Sequence, residues 1–491
     1  MLFAKIDFAT GLLKCVMLNI DLFSLLLRFS KSWALKYERR RRQAMARWLE
    51  NVDSEILENY GKKLALHAFK QAARHSVFYE KLLASKKISI NSIRAINDFA
   101  KLPILEKEIF KNNEIIDLAV GRNLEDVNSI LTSSGYSGLF SFGVNTKTNL
   151  TNTARFIDFV LDYIFNISGK KILIINCLPM GVKIYTNSAV LAEVSVREDM
   201  AIALIQKFQK YFQEMIIVGE AFFLKNLVEE GIEAGINWKS LPISLIVGED
   251  SFPESYRDYI GNLLGIDHDA SPLKRLVGSS LGIAECSLNL FHETPATIAL
   301  RRFACQNKEF KKEVFGEEEI CPMLFTYYPT HTYLEETSGG EIIITMLSPA
   351  KIPIIRYNSK DCGKIISYRQ LKEILKKFNR EDLLPRLKLP LIAIKTRANS
   401  EIGDISGDKI RDFIFSNPQI ARELTGFFKI KSNKTSTQVK LQLKKNGFWQ
   451  KEYEDIIKSN FTAIKIIIKA VPYYDFPEAL TLDYNKKFKY T

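Results

Sequence analysis

Residues 131–143, Leu-Thr-Ser-Ser-Gly-Tyr-Ser-Gly-Leu-Phe-Ser-Phe-Gly, interleave the hydroxyls of Ser133, Ser134 and Ser137 with Gly135 and Gly138. Small residues let backbone N–H groups approach an anion, and hydroxyls add donors around phosphate oxygens. An apolar run, 127–131, leads into the loop and reads as a strand. Such a loop suits a polyphosphate, although the same Ser/Gly content also builds plain turns. Three later segments carry compatible chemistry. Residues 246–253 run from an apolar strand into Gly248, Glu249 and Asp250, and ligands collect at such strand C-termini in open α/β sheets. Residues 277–285 pass through a Gly/Ser turn containing Gly282 to Glu285, a carboxylate able to hold a divalent metal that neutralises phosphates. Residues 352–363 contain Arg356, a fork-shaped cation for phosphate or carboxylate, and Asp361, which can accept both hydroxyls of a ribose.

Two other chemistries have thinner support. Cys286, His292, Cys305 and Cys321 have the spacing C-x5-H-x12-C-x15-C, which lacks the tight pairs of structural zinc sites. Buried free cysteines and a surface histidine are the default reading of the pattern. No G-x-S-x-G elbow marks a Ser/His/Asp hydrolase.

These segments need a sizeable scaffold. A chain of 491 residues exceeds one simple core and implies two or three domains. Its 46% hydrophobic and 25% charged residues are ordinary for a globular protein, so disorder is not expected. The net charge of +13 suits anionic ligands such as nucleotides and CoA, or an anionic membrane surface. Neither zinc-finger spacing nor an aromatic-interleaved basic motif is present, so no nucleic-acid partner is expected. Six scattered cysteines without CxxC pairs, and no signal-peptide cleavage pattern, fit a cytoplasmic protein.

Strand-like runs at 171–176, 215–218, 244–247 and 274–277 alternate with helical stretches at 151–165, 196–212, 222–234 and 255–264. This alternation predicts an α/β fold: a large layered N-terminal domain with mostly parallel sheets. Residues 295–346 are richer in strand pattern. After a polar run at 395–400, a small α+β C-terminal domain follows, with strands at 426–430, 437–443 and 464–471 and helices at 408–416 and 450–459. The expected divisions are an amphipathic N-terminal helix with a basic flank (1–42), a large domain (43–394) and a small mobile domain (395–491). In residues 2–30, Asp7, Lys14, Asp21 and Arg28 recur every seven positions on an otherwise apolar helix, and four arginines, 39–42, follow. That pattern fits peripheral contact with the inner face of a membrane, or packing on the chain's own domain or on a partner protein.

Taken in order and spacing, the four segments resemble the AMP-forming adenylating superfamily of acyl-CoA synthetases, and more closely its phenylacetate–CoA ligase and coenzyme F synthetase branch. That branch's Ser-Ser-Gly-Thr-Thr-Gly loop corresponds to 133–138, its Gly-Gly-Glu to Val247-Gly248-Glu249, its Tyr-Gly-x-Thr-Glu to 281–285 and its Arg-Tyr-x-Thr-Gly-Asp to 356–361. Ala73–Tyr79 is similar to a helix of that branch, with Val77 in place of proline. The resemblance implies ATP and Mg²⁺, a small-molecule carboxylic acid as substrate, and CoA or a carrier thiol as acceptor. It assigns the pyrophosphate-side oxygens to Ser133, Ser134, Gly135, Ser137 and Gly138, Mg²⁺ to Glu285, and the ribose to Asp361. It also assigns a catalytic cation to Lys487 in the segment 486–490, and a hinge to 396–399 with Arg397. Tyr136, Leu139, Phe140, Leu281, Ala284, Asn399 and Lys486 depart from the branch's pattern. These departures leave a second expectation, a catalytically impaired nucleotide-binding homologue serving as a membrane-associated binding or assembly subunit.

Overall fold

The computed structural model describes residues 22–133, 139–179, 182–395, 401–402, 405–432, 436–461 and 466–476. Met1–Val52 and Asp53–Thr491 form two separate compact units. The first holds one helix, Leu22–Asn51, with exposed arginines at 39, 40 and 41. The expected N-terminal helix therefore extends to 51, while residues 1–21 lie outside the described residues. No helix among the described residues is long and apolar enough to cross a membrane.

The second unit opens on helix Ser54–His75, whose N-cap Asp53 accepts from the Glu55 N–H at 2.8 Å. Ser76 breaks the helical run before Val77–Ser85, donating its hydroxyl to the carbonyls of Asp117 and Leu118 at 3.1 Å each. Val77 thus holds a first helical position, where proline is readily accepted.

Strands β1 (Val127–Thr132) and β2 (Phe142–Thr146) form an antiparallel pair flanking the Ser/Gly loop. Eleven strands then build one sheet. Its members are β3 (Ile172–Asn176), β4 (Val190–Glu193), β5 (Glu214–Gly219), β6 (Ile243–Gly248), β7 (Val277–Ile283), β8 (Ser287–His292), β9 (Met323–Thr326), β10 (Thr332–Glu336), β11 (Glu341–Met346), β12 (Tyr357–Ile366) and β13 (Leu391–Lys395). Their order is β10-β11-β12-β13-β9-β8-β7-β6-β5-β3-β4. From β4 to β7 the pairing is parallel, with helices Glu198–Phe208, Ala221–Glu233 and Glu254–Leu264 as crossovers. From β7 onward it is antiparallel, with short reversals at 284–286, 327–331 and 337–340 joining successive strands and longer helical segments joining β8 to β9 and β12 to β13. The strand expected at 274–277 lies three residues later, at β7.

The strand-rich reading of 295–346 holds only from β9 onward. Its first part is helical, Pro295–Gln306 and Lys308–Phe315. Thr294 caps the first helix reciprocally with Thr297, and Pro295 sits at its start.

Beyond a short pair, β14 (Glu401–Ile402) with β15 (Ile405–Ser406), the chain forms a three-stranded sheet of β16 (Leu424–Ser432), β17 (Thr437–Leu443) and β18 (Ile466–Val471). Helices Gly407–Ser416 and Lys451–Asn460 accompany it. This smaller sheet is separate from the large one, yet its apolar residues join the main core. Phe415 meets Tyr256 edge-on, with ring centroids 4.9 Å apart.

Candidate active site

Ser133 and Ser141 close the Ser/Gly loop at its base. The Ser133 N–H donates to the Ser141 carbonyl at 3.0 Å, and the Ser141 N–H donates to the Ser133 hydroxyl at 3.0 Å. Ser134, Gly135, Ser137 and Gly138 lie outside the described residues. Ser141, fully buried, turns its hydroxyl to Glu285 at 2.8 Å. Glu285 sits in the reversal between β7 and β8, and its other carboxylate oxygen accepts from the Tyr357 phenol. Two motifs thereby hold the acid of a third. Gly143 completes the joint: a Cβ there would stand 2.0 Å from the Ala284 carbonyl oxygen, so only glycine lets β2 lie against the Glu285 turn.

The fourth segment is pinned from the N-terminal helices. The Tyr79 phenol donates to the Pro353 carbonyl at 2.9 Å and accepts from the Ile355 N–H at 3.1 Å. Burial holds that phenol well above its ordinary pKa, so it stays a donor. Leu105 bridges to the same segment, its N–H donating to the Arg356 carbonyl at 2.9 Å and its carbonyl accepting from the Asn358 N–H at 2.8 Å. The result fixes β12, which carries Tyr357 and Asp361.

Ser133, Gly248, Glu249, Gly282, Glu285 and Asp361 all line one cavity of about 2350 Å³ at the C-terminal ends of β6 and β7. Glu249 adopts φ 68° and Lys360 φ 66°, left-handed conformations uncommon for residues with a Cβ and often concentrated at functional sites. Arg356 does not line the cavity, contrary to the expectation of a phosphate contact. Its guanidinium donates to Glu335 at 3.0 Å, to the Phe99 carbonyl at 2.8 Å and to the Leu102 carbonyl. Arg356 precedes β12 in a left-handed conformation, φ 50°, and its side chain is drawn to Glu335 and the 99–102 carbonyls. Arg397 and Lys487 lie outside the described residues.

The four residues with loose zinc spacing do not assemble. Among the described residues no cluster of three or more His, Cys, Asp or Glu side chains could hold a metal ion. Cys305 lies beside Cys321, whereas Cys286 is next to Glu285 and His292 stacks on Tyr328 with ring centroids 5.6 Å apart. Burial, then the charges of Glu285 and Asp361, raises the Cys286 thiol well above its ordinary pKa, which keeps it neutral. His292 is buried rather than at the surface as expected; it lines the cavity, and burial lowers its pKa to about 3.

Glu285 on its own is compatible with Mg²⁺. A carboxylate offers about four acceptor positions, of which the two hydroxyls use two. Mg²⁺ beside a nucleotide commonly takes only one or two protein carboxylates and fills its shell with phosphate oxygens and water.

No family model and no curated protein sequence matches the chain. Solved structures do. A 2-hydroxyisobutyryl-CoA ligase in its postadenylation state, complexed with R3-HIB-AMP, superposes with a TM-score of 0.62 at 12% identity, covering 87% of this chain and 88% of the ligase. This chain has the fold of the AMP-forming adenylating ligases. An open conformation of the same ligase, with 2-HIB-AMP and CoA, gives a TM-score of 0.50 at 12% identity over 87% of this chain and 90% of the ligase. The adenylating-ligase fold accounts for the large mixed sheet, the separate C-terminal sheet and a cavity at the strand ends.

Of the residues that position this site, Ser141, Gly143, Tyr357 and Tyr79 lie inside the motifs 131–143, 356–361 and 73–79, but the sequence assigns them no role. Ser141 and Gly143 extend the small-residue rhythm of 133–138 past Phe140, the one local signal for them.

Proposed function

We propose that this protein activates a carboxylic acid with ATP and passes the acyl group to CoA or a carrier thiol. A carboxylate oxygen attacks the α-phosphorus, the bond from that phosphorus to the bridging oxygen breaks, and pyrophosphate leaves. The thiol sulfur then attacks the acyl carbon, AMP departs, and the thiol proton passes to solvent. The observation carrying this reading is that Ser133, Gly248, Glu249, Gly282, Glu285 and Asp361, from four separate segments, line one cavity. The fold is that of a ligase whose structures hold an acyl-AMP and CoA.

In this reading the loop 133–138 donates to the pyrophosphate-side oxygens and Asp361 accepts from the ribose hydroxyls. Glu285, with its orientation fixed by Ser141 and Tyr357, would hold Mg²⁺, which supplies charge neutralisation to the phosphates. Lys487 supplies a cation to the charge developing at the α-phosphate. Residues 395–491 act as a mobile domain hinged at 396–399 about Arg397. The better superposition on the postadenylation state supports an arrangement suited to the first half-reaction.

The test is ATP–pyrophosphate exchange with a broad panel of carboxylic acids, with ATP binding measured by calorimetry. Acid-dependent exchange is expected. ATP binding with no exchange across the whole panel would overturn the enzymatic reading, and absence of ATP binding would overturn nucleotide recognition itself.

A further inference from the structure

Helix Leu22–Asn51 has no part in the adenylation chemistry, yet its residues are sorted by type along its length. Residues 22–35 hold nine Leu, Phe, Trp and Ala residues together with Arg28 and Lys31, and no acid. Residues 36–51 hold six cations, Lys36, Arg39, Arg40, Arg41, Arg42 and Arg47, against Glu38 and Glu50. One half is apolar and the other strongly basic.

The basic half presents an ordered outer face. Tyr37 and Trp48 stand 67% and 45% exposed. Eleven residues make three helical turns and about 20° more, so the two rings lie on one line, roughly 16 Å apart. Ala44, also exposed, falls on that line between them. Arg40 and Arg47 flank it on one side and Arg41 on the other, all exposed. Arg41 reaches Glu38 at 3.6 Å, an open pair of the kind that contributes little. Arg40 and Arg47 form no ion pair among the described residues. Tyr and Trp rings settle at a membrane–water interface, where the apolar body is covered and the polar tip stays wet. Arginine stems beside them carry guanidinium groups to phosphate level.

Two other occupants fit less of the helix. A single-stranded nucleic acid takes rings and arginines, but it offers no apolar phase to residues 22–35. A second copy of the helix would set one row of arginines against another. An anionic bilayer surface takes both halves. The helix does not span it, since Arg28 and Lys31 interrupt the apolar half and no described helix is long and apolar enough to cross. We infer that helix Leu22–Asn51 lies on an anionic lipid surface, with Tyr37 and Trp48 at headgroup level and Arg40, Arg41 and Arg47 against the lipid phosphates. This contact goes beyond the proposed adenylation and does not depend on it. Each arginine brought to such a surface should tighten binding about fivefold, the ratio that corresponds to about 1 kcal/mol.

The test is co-sedimentation of the full chain with vesicles of phosphatidylcholine, alone or mixed with phosphatidylglycerol. Binding to the mixed vesicles is expected, with much weaker binding to phosphatidylcholine alone. Raising salt from about 0.1 M to about 1 M should release the protein, because screening shortens from about 10 Å to about 3 Å. Replacing Arg40, Arg41 and Arg47 together by Gln should weaken binding roughly a hundredfold and flatten its salt dependence. Tyr37→Ser with Trp48→Ser should weaken binding and leave the salt dependence in place. Brominated lipid should quench tryptophan emission, and Trp48→Phe should remove part of that quenching. Thermal melts that coincide with the parent's show that the variants are folded. No binding to the mixed vesicles, or binding that neither set of substitutions alters, overturns the inference. Arginine-dependent capture of a single-stranded oligonucleotide, or an arginine-dependent dimer in sedimentation velocity, without vesicle binding also overturns it.

Discussion

Glu285 keeps the cavity-facing place that its motif suggests, whereas Arg356 does not. Glu285 is buried yet faces the cavity, held by one hydroxyl from the end of the loop and one from β12. Arg356 faces away and ties β12 to Glu335 and to the 99–102 turn. The two substitutions should separate accordingly. Tyr357→Phe removes one hydrogen bond to a charged group, expected to cost about 1.5–3 kcal/mol of stability. It should also lower pyrophosphate exchange at least tenfold, because Glu285 loses one of its two fixed contacts. Arg356→Ala breaks a largely buried ion pair, with a loss of roughly 3 kcal/mol, while the KM for ATP of the folded protein stays within about twofold of the parent. Thermal melts and exchange kinetics on both variants check this. A many-fold rise in KM for ATP on removing Arg356 would restore a direct phosphate contact. Residue types at the site were legible because phosphate and ribose chemistry restricts them. Side-chain direction was not, since Arg356 sits just before β12 in a left-handed conformation that its motif does not reveal.

At the scale of elements, the joint between the β1–β2 pair and the β7–β8 reversal connects the loop to its acid. Gly143 permits it, since any Cβ would meet the Ala284 backbone oxygen rather than a yielding side-chain tip. Gly143→Ala is therefore expected to push the pair off the turn and stretch the 2.8 Å contact between Ser141 and Glu285. Exchange activity should fall by two orders of magnitude or so, with a loss of about 1–3 kcal/mol in stability. Unchanged exchange kinetics in a folded Gly143→Ala protein would show that the loop works without this docking. Sequence periodicity revealed the parallel half of the sheet, because buried β-branched strands and amphipathic crossovers have distinct periods. It missed helix Pro295–Gln306, which places Arg301 and Arg302 on its buried side. Arg301 donates to the Phe252, Cys321 and Pro322 carbonyls and pairs with Glu254, so the usual apolar stripe is partly replaced by charge. Thr294 followed by Pro295 was the available cue for its start.

At the scale of the whole molecule, a buried charge network spans the elements behind the parallel sheet, and a histidine within it ties stability to pH. Arg257 pairs with Glu254 and Glu293, Arg302 with Asp258 and Asp269, and His268 lies among them. Burial first, then the charges of Arg257 and Arg302, lowers the His268 pKa to about 3. Its Nε2 accepts from the Val277 N–H at 3.0 Å, which requires the neutral ring. In the unfolded chain the same imidazole protonates near pH 6.5. Unfolding therefore takes up a proton between those two values. The stability contributed by neutral His268 is complete above about pH 6.5 and drains as pH falls toward 3. Raised carboxylates act in the opposite sense, Glu198 at about 7 foremost, so the overall profile is a balance and a single-site difference isolates the histidine. His268→Gln keeps an acceptor for the Val277 N–H and removes the titration. Between about pH 7 and about pH 5 the parent should lose about 2 kcal/mol relative to this variant, by linkage at one site. Urea unfolding of both proteins at the two pH values measures it. Parallel losses would mean that His268 takes up its proton in the folded protein as readily as in the unfolded chain, and the Arg257–Glu254–Glu293 network would then have to accommodate a cation at its edge.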